Sequence, residues 1–184
     1  MKESLIAIYE IIKTVVFVLI TAFLIRTFLF QPFVVEGSSM EPNMHNNQYL
    51  IVDKLGYRLS NPKRGDVIVF EAPDMAGADY IKRIIGLPGE TIKITSDTIY
   101  IDGKKLEEDY LPDSFNTYVG NDESMTLEVK LEPDTYFVMG DNREHSHDSR
   151  EIGSINKSKI VGRAWMILYP LNNIGKVFTP NFEY

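Results

Sequence analysis

The sequence predicts a mainly β protein: a curved or barrel-like antiparallel sheet behind one N-terminal transmembrane helix. Three observations predict it. An apolar run without a charge, Thr14 to Ile25 (TVVFVLITAFLI), lies near the start of the chain. From Gln31-Pro32 onward the pattern changes to short apolar stretches bounded by Gly, Pro, Asn and Asp, the punctuation of strands and turns. No helical periodicity of comparable strength follows residue 35.

The helix comes first. Twelve apolar residues are short for a membrane span, which needs about 20. The flanks extend them, with Ile11 and Ile12 before Lys13, and Phe28-Leu29-Phe30 after Arg26. A helix over residues 11–30 spans a bilayer if Lys13 and Arg26 snorkel to opposite surfaces. No A-x-A-like site follows, which argues against a cleaved leader. The run is apolar on every face, which argues against an amphipathic core helix. Lys2 and Lys13 precede the span and Arg26 follows it, so the positive-inside rule places residues 1–10 in the cytoplasm. Residues 31–184 are then an extracytoplasmic domain anchored in the cell membrane by a single pass.

The strands follow in order. Val67 to Phe70 is a continuous apolar run after Arg64-Gly65-Asp66 and reads as a buried strand. Tyr80 to Gly86 is an apolar run carrying Lys82 and Arg83. Thr91 to Thr95 alternates, Thr98 to Ile101 continues the theme, and Asp102-Gly103 is a hairpin turn. Tyr136 to Met139 and Ala164 to Leu168 read as further core strands. Asp109 to Lys130 is acidic and weakly patterned, and reads as a long surface excursion.

With 184 residues the chain suits one main folded domain plus an appendage. Its 19 Lys+Arg against 26 Asp+Glu give a formal net charge of −7, which argues against nucleic-acid binding. It contains no cysteine, so disulfides, thiolate metal sites and Cys nucleophiles are excluded.

The candidate chemistry starts at Gly37-Ser38-Ser39-Met40-Glu41-Pro42-Asn43, on a turn just beyond the apolar segment. A serine hydroxyl needs a base to become a nucleophile. His45 is close in sequence, and His145 and His147 flank Ser146, but nothing around them suggests a nucleophile elbow or a fixed His–carboxylate pair. Two histidines at spacing two are a weak metal motif, and no metal or other cofactor is expected. The other base is Lys82. Alternation gives Lys82 one strand face with Tyr80 and Ile84, and gives Arg83 the other face, where it is free to point to solvent. An inward Lys82 is desolvated, and lowering its pKa from ~10.4 to ~8 costs about 3 kcal/mol. Met139 to Arg150 forms a third constellation, in which Asp141/Arg143 and Asp148/Arg150 are spaced as ion pairs that could clamp the loop. There Ser146 could orient a neutral lysine.

Four boxes, in order, carry a resemblance: GSSMEP (37–42), RGDVIVF (64–70), YIKRIIGLPGE (80–90) and MGDNREHSHDSR (139–150). Behind an N-terminal anchor, they make the chain resemble the bacterial type I signal peptidases, in the short single-span form typical of Gram-positive bacteria. The resemblance covers nearly the whole chain. It implies a membrane-bound serine endopeptidase that removes signal peptides from exported preproteins at A-x-A-like sites with a Ser-Lys dyad. It makes Ser39 the nucleophile and Lys82 the general base. Ser146, Asp141, Arg143, Asp148 and Arg150 become supporting residues. Gly37 stands where some members carry an oxyanion donor, so the Ser39 backbone N–H and a second donor are expected there. Phe33, Val35, Met40, Met44, Tyr80 and Ile81 become candidate substrate-pocket walls. An extended substrate is expected to add a strand beside residues 33–36 and 79–82. The implied partners are signal peptides, the lipid bilayer and, as a further candidate, the protein export channel.

Two rival readings are weighed. Self-cleaving repressors share a Ser-Lys dyad, but a membrane anchor stands here where they carry a DNA-binding module. A catalytically silent homologue acting as a membrane-anchored assembly factor would be expected to lose Ser39 or Lys82, and both are present.

Overall fold

The computed structural model describes residues 2–95, 97–112, 115–119, 125–180 and 182. Its first element, α1, runs Lys2–Phe28, starting well before the predicted Ile11. At about 1.5 Å per residue it is roughly 40 Å long, more than a ~30 Å hydrocarbon core. Ser4–Phe28 is the one stretch among the described residues long and apolar enough to cross a membrane. Its apolar side chains are exposed all round, and Glu10 and Lys13 pair at 2.8 Å.

The rest of the chain is mostly antiparallel sheet. The strands are β1 (Phe30–Val34), β2 (Tyr49–Asp53), β3 (Val67–Glu71), β4 (Asp79–Gly86), β5 (Thr91–Thr95), β6 (Thr98–Ile101), β7 (Lys104–Lys105), β8 (Leu127–Lys130), β9 (Thr135–Met139), β10 (Ile155–Asn156), β11 (Ile160–Tyr169) and β12 (Gly175–Lys176). The larger sheet runs β1-β2-β11-β3-β4-β9-β10, with β12 beside β11, and the smaller runs β7-β6-β5-β8. The predicted mainly β, antiparallel architecture is present. The sheet is not closed into a barrel, because β1 and β10 end the larger path and do not pair.

Side-chain alternation decides the layers. β3 is apolar without interruption and lies between β11 and β4, so Val67, Ile68, Val69 and Phe70 are all buried. In β5 and β6 alternation is strict: Ile92, Ile94, Ile99 and Ile101 face one core cluster, while Lys93 points outward. Asp102 and Gly103 both take positive φ, the two-residue turn the sequence predicts between β6 and β7. β11 is less of a core strand than its composition suggests. Ala164 and Ile167 are buried, whereas Trp165 stacks on Phe30 and Leu168 is exposed.

Only two short α-helices follow α1 among the described residues: α2 (Gly56–Leu59) and α3 (Ser149–Ile152). The excursion 109–130 is only partly a surface feature. Thr117 is buried, and the segment returns as β8 to pair with β5.

Candidate active site

Ser39 sits on a loop that the core holds in place. The loop leaves β1 at Val35 and returns at Gln48. Two backbone bonds close its base, from Val35 N to Gln48 O (2.9 Å) and from Asn47 N to Val35 O (2.8 Å). Met40 and Met44, linked by a 2.8 Å backbone bond, are fully buried in the cluster that also holds Val35, Leu50, Val69 and Ile81. Those two side chains pin the loop to the sheet face, and Ser39 stands directly before one of them. Gly37 turns the chain at φ 86°, a conformation that favours glycine. Among the described residues, the Ser39 backbone N–H has no acceptor.

Lys82 comes from β4 and is 5% exposed. Its Nζ lies 2.9 Å from Ser39 Oγ and donates to the Ile81 carbonyl oxygen at 2.9 Å. Nζ also stands 5.5 Å from the centre of the Tyr80 ring. Burial holds the Lys82 pKa down to about 8, while the Asp148 carboxylate opposes this. A lysine in this state is substantially neutral near pH 8 and can accept a hydroxyl proton.

The loop after β9 completes the neighbourhood. Asn142 donates from its backbone N to Ser39 O (3.0 Å) and from Nδ2 to Ser38 O (3.2 Å). Gly140 is where this loop meets the serine loop. A Cβ there would lie 2.2 Å from Ser146 Oγ and 2.4 Å from Ser39 O, so only glycine fits without displacement. Asp148 caps α3 and accepts from Gly140 N, Arg150 Nε and Arg150 Nη2. Burial raises its pKa, but the Arg150 contacts and the Gly140 N–H outweigh this and hold it below the usual carboxylate range. Ser146 is 8% exposed; its hydroxyl makes no hydrogen bond of good geometry among the described residues, but it faces the Asp148 carboxylate and helps to lower its pKa.

The ion pairs differ in part from the sequence reading. Asp148 and Arg150 pair as predicted, at 2.8 Å. Asp141 does not pair with Arg143; it takes Arg83, which is buried rather than solvent-facing. Arg83 also donates to Gly65 O (2.8 Å) and Phe178 O (3.0 Å), with the Tyr110 ring over its guanidinium. Arg143 turns the other way, to Glu108, Thr117 Oγ1 and the Tyr110 hydroxyl. Both arginines therefore face partners far away in sequence, which spacing alone does not reveal.

Of the candidate walls, Val35, Met40, Met44 and Ile81 lie in one buried cluster, with Phe33 half-buried against it. Tyr80 lies apart, edge-on to Phe70. The histidines stand away from Ser39: His45 faces Glu41 at 3.8 Å, His145 is exposed, and His147 bridges Asp74 and Glu151. Sequence reasoning missed Gly140, Asn142, Asn43 and Arg83 as parts of the site. The first two lie inside the MGDN box, Asn43 follows Met-x-Pro, and Arg83 follows Lys82, so their positions were the only available signal.

Residues 8–169 match the family model described as signal peptidase, peptidase S26. A signal peptidase I of Bacillus licheniformis is 38% identical over 174 residues, covering 92% of this chain and 93% of that protein. Signal peptidase I P of Bacillus subtilis subsp. natto is 40% identical over 171 residues, covering 91% and 92%. A crystal structure of a signal peptidase I from Enterococcus faecalis V583 is 35% identical, with a TM-score of 0.49, covering 56% of this chain and 97% of that one. The family match over most of the chain and the identity to these full-length relatives establish that it belongs to the peptidase S26 signal peptidases, which makes it a serine protease of that kind.

Proposed function

We propose that this chain removes signal peptides from exported preproteins at A-x-A-like sites, with Ser39 as nucleophile and Lys82 as general base. The observation that carries the reading is the 2.9 Å approach of Lys82 Nζ to Ser39 Oγ, made by a buried lysine whose pKa is held near 8. The silent-homologue alternative gains no support, since both groups are present and in contact.

The steps follow from that contact. Ser39 Oγ attacks the carbonyl carbon of the residue before the cut and passes its proton to Lys82 Nζ. The carbonyl electrons move onto oxygen, and the Ser39 N–H donates to that oxygen. The tetrahedral intermediate collapses, the C–N bond breaks, and protonated Lys82 delivers its proton to the leaving amine. Water then adds to the acyl-enzyme with neutral Lys82 as base, and Ser39 is released with its proton restored. Ser146 carries the hydroxyl assigned to orient the lysine, although no hydrogen bond joins Ser146 Oγ and Lys82 Nζ in the structure, and the Asp148–Arg150 and Arg83–Asp141 pairs hold the loop.

The substrate lies extended against residues 33–36 and the β4 edge at residues 79–82, where β9 has no paired residue. Two small side chains, two residues apart, enter shallow pockets beside Phe33, Val35, Met40, Met44, Tyr80 and Ile81. In this reading α1 is a single-pass anchor in the cell membrane, with residues 1–10 cytoplasmic, residues 11–30 spanning and residues 31–184 outside. The active site then works near the bilayer surface and within reach of the export channel.

The test is cleavage of a model preprotein with an A-x-A site by the detergent-solubilised full chain. Cutting directly after the second alanine is expected, and it should be lost in Ser39→Ala and Lys82→Met. Activity surviving Lys82→Met, or no cleavage by folded wild type, defeats the reading.

A further inference from the structure

The β3–β4 hairpin turns through residues 72–78, closed by Ala72 N donating to Ala78 O at 2.9 Å. It returns as the strand edge Asp79–Lys82, which pairs with β3 on one side and with no strand on the other among the described residues. His147 holds this hairpin from outside. Its Nε2 lies 2.6 Å from Asp74 Oδ2 on the hairpin, and its Nδ1 lies 2.8 Å from Glu151 Oε2 on α3. Its ring also meets Tyr80 edge-to-face at 6.3 Å. Tyr80 in turn packs edge-on against Phe70 at 6.1 Å and lies under the Lys82 ammonium position at 5.5 Å. One imidazole thus ties three elements together at the border of the site: the hairpin, α3 and the β4 edge.

We propose that His147 is a positioning residue for the substrate: by tying the β3–β4 hairpin to α3 it fixes Tyr80 and the open edge of β4 on which the extended peptide lies. The proposal rests on the strand-addition reading above. It assigns His147 no part in proton transfer to or from Ser39, and no hydrogen bond joins the two.

The chemistry of the bridge makes it pH-dependent. Carboxylates only accept, so satisfying both at once requires an imidazolium donating from both nitrogens. The groups facing the ring are Asp74 from the hairpin, Glu151 from α3 and Tyr80 from β4. Asp74 first, then Glu151, raise the His147 pKa. Asp74 also acts on Tyr80, whose phenol is raised by burial first and by that carboxylate second. A raised histidine pKa means that, while Asp74 and Glu151 are ionised, the bridge persists to higher pH than a free imidazolium would and fails as pH rises through that pKa. Substrate affinity should then weaken as pH rises through the His147 pKa, while Lys82 becomes more active toward pH 8.

The experiment measures KM and kcat separately for an A-x-A peptide over about pH 5 to 10. It uses the detergent-solubilised full chain, with Ser39→Ala as a blank. Wild type is expected to show a KM that climbs in one step as pH rises through the His147 pKa. His147→Ala should have a KM raised roughly 3–10-fold on the acid side of that step and flat with pH, with kcat little changed, the pattern of lost binding rather than lost chemistry. The double variant Asp74→Asn, Glu151→Gln should move the KM step to lower pH, because the carboxylates no longer hold the proton. A purely structural histidine would change the melting temperature and leave that step where it is. The proposal is overturned if His147→Ala keeps the wild-type KM at every pH, if kcat falls in step with KM, or if the double variant leaves the step unmoved. Peptide cleavage by wild type and His147→Ala alike, with Ser39→Ala inactive, sinks only this proposal. No cleavage by folded wild type sinks the proposed function itself.

Discussion

Arg83 grips Asp141 through two hydrogen bonds of 2.7 Å, Nε to Oδ1 and Nη2 to Oδ2, with side chains 1% and 0% exposed. The fork stands beside both loops of the site. Arg83 follows Lys82, and Asp141 precedes Asn142, whose N–H and side chain hold Ser39 O and Ser38 O. Asn43 Nδ2 adds a 3.0 Å bond to Asp141 Oδ2, so the serine loop is tied to the same carboxylate.

Breaking this pair from one side leaves a buried charge without its partner, which typically costs about 3–5 kcal/mol. Asp141→Ala is therefore expected to lower the unfolding free energy by about that much, and thermal melts in detergent would detect it. Arg83→Lys keeps the charge but loses the two-pronged geometry, so it should fall between wild type and Asp141→Ala.

Lys82 predicts the pH profile. Its folded pKa, about 8, lies below the ordinary 10.5, so activity should rise with pH through an apparent pKa near 8. The stability sign is the opposite of a salt bridge. Below about pH 8 the ammonium is charged in both states and burial penalises the fold. Between 8 and 10.5 the unfolded chain binds more protons and stability rises with pH. The difference of about 2.5 pK steps corresponds to about 3 kcal/mol. Lys82→Met should therefore be inactive yet more stable than wild type at pH 6, with the gap closing toward pH 10; a variant less stable than wild type at pH 6 would contradict this.

Gly140→Ala forces a methyl group against Ser39 O and Ser146 Oγ at 2.4 and 2.2 Å. Overpacking of this kind costs about 1–3 kcal/mol. The larger effect should be on rate, since a displacement of about 1 Å at a nucleophile can cost roughly 100-fold. A kcat within twofold of wild type would show that the two loops part without disturbing Ser39.

Ser146→Ala separates stability from chemistry. The hydroxyl is buried with no hydrogen bond of good geometry among the described residues beyond its approach to Asp148, and a poorly satisfied buried group costs up to about 1–3 kcal/mol. Its removal should leave the melting temperature unchanged or higher. If Ser146 orients Lys82, kcat nevertheless falls by roughly 10- to 100-fold. Unchanged kcat would remove Ser146 from the mechanism.

What the sequence made legible was local. Alternation in TIKIT and TIYI and the Asp-Gly turn sufficed for β5, β6 and β7, because each strand pairs with its neighbour in sequence. The boxes around Ser39 and Lys82 pointed to a pairing of the two, and the structure brings Lys82 Nζ to 2.9 Å from Ser39 Oγ. The partners of Arg83 and Arg143 were not legible, because Asp141 and Glu108 reach them only through the order of strands. Barrel closure failed for the same reason: apolar alternation specifies faces, and says nothing about whether the terminal strands of a sheet meet. Met40 and Met44, expected as pocket walls, are also members of the buried core cluster. One apolar side chain can wall a pocket and pin a loop, and composition does not distinguish the two.

Those two methionines make the serine loop chemically auditable. At 0% and 1% exposure their sulfurs meet an oxidant only when the loop lifts from the sheet, whereas Met75 and Met125 on the surface are open to it at all times. Once formed, a polar sulfoxide cannot return to the apolar seat, so each lifting caught by peroxide becomes permanent. The decay of activity in dilute peroxide, compared with sulfoxide formation at Met75, therefore measures how often the ground beneath Ser39 opens.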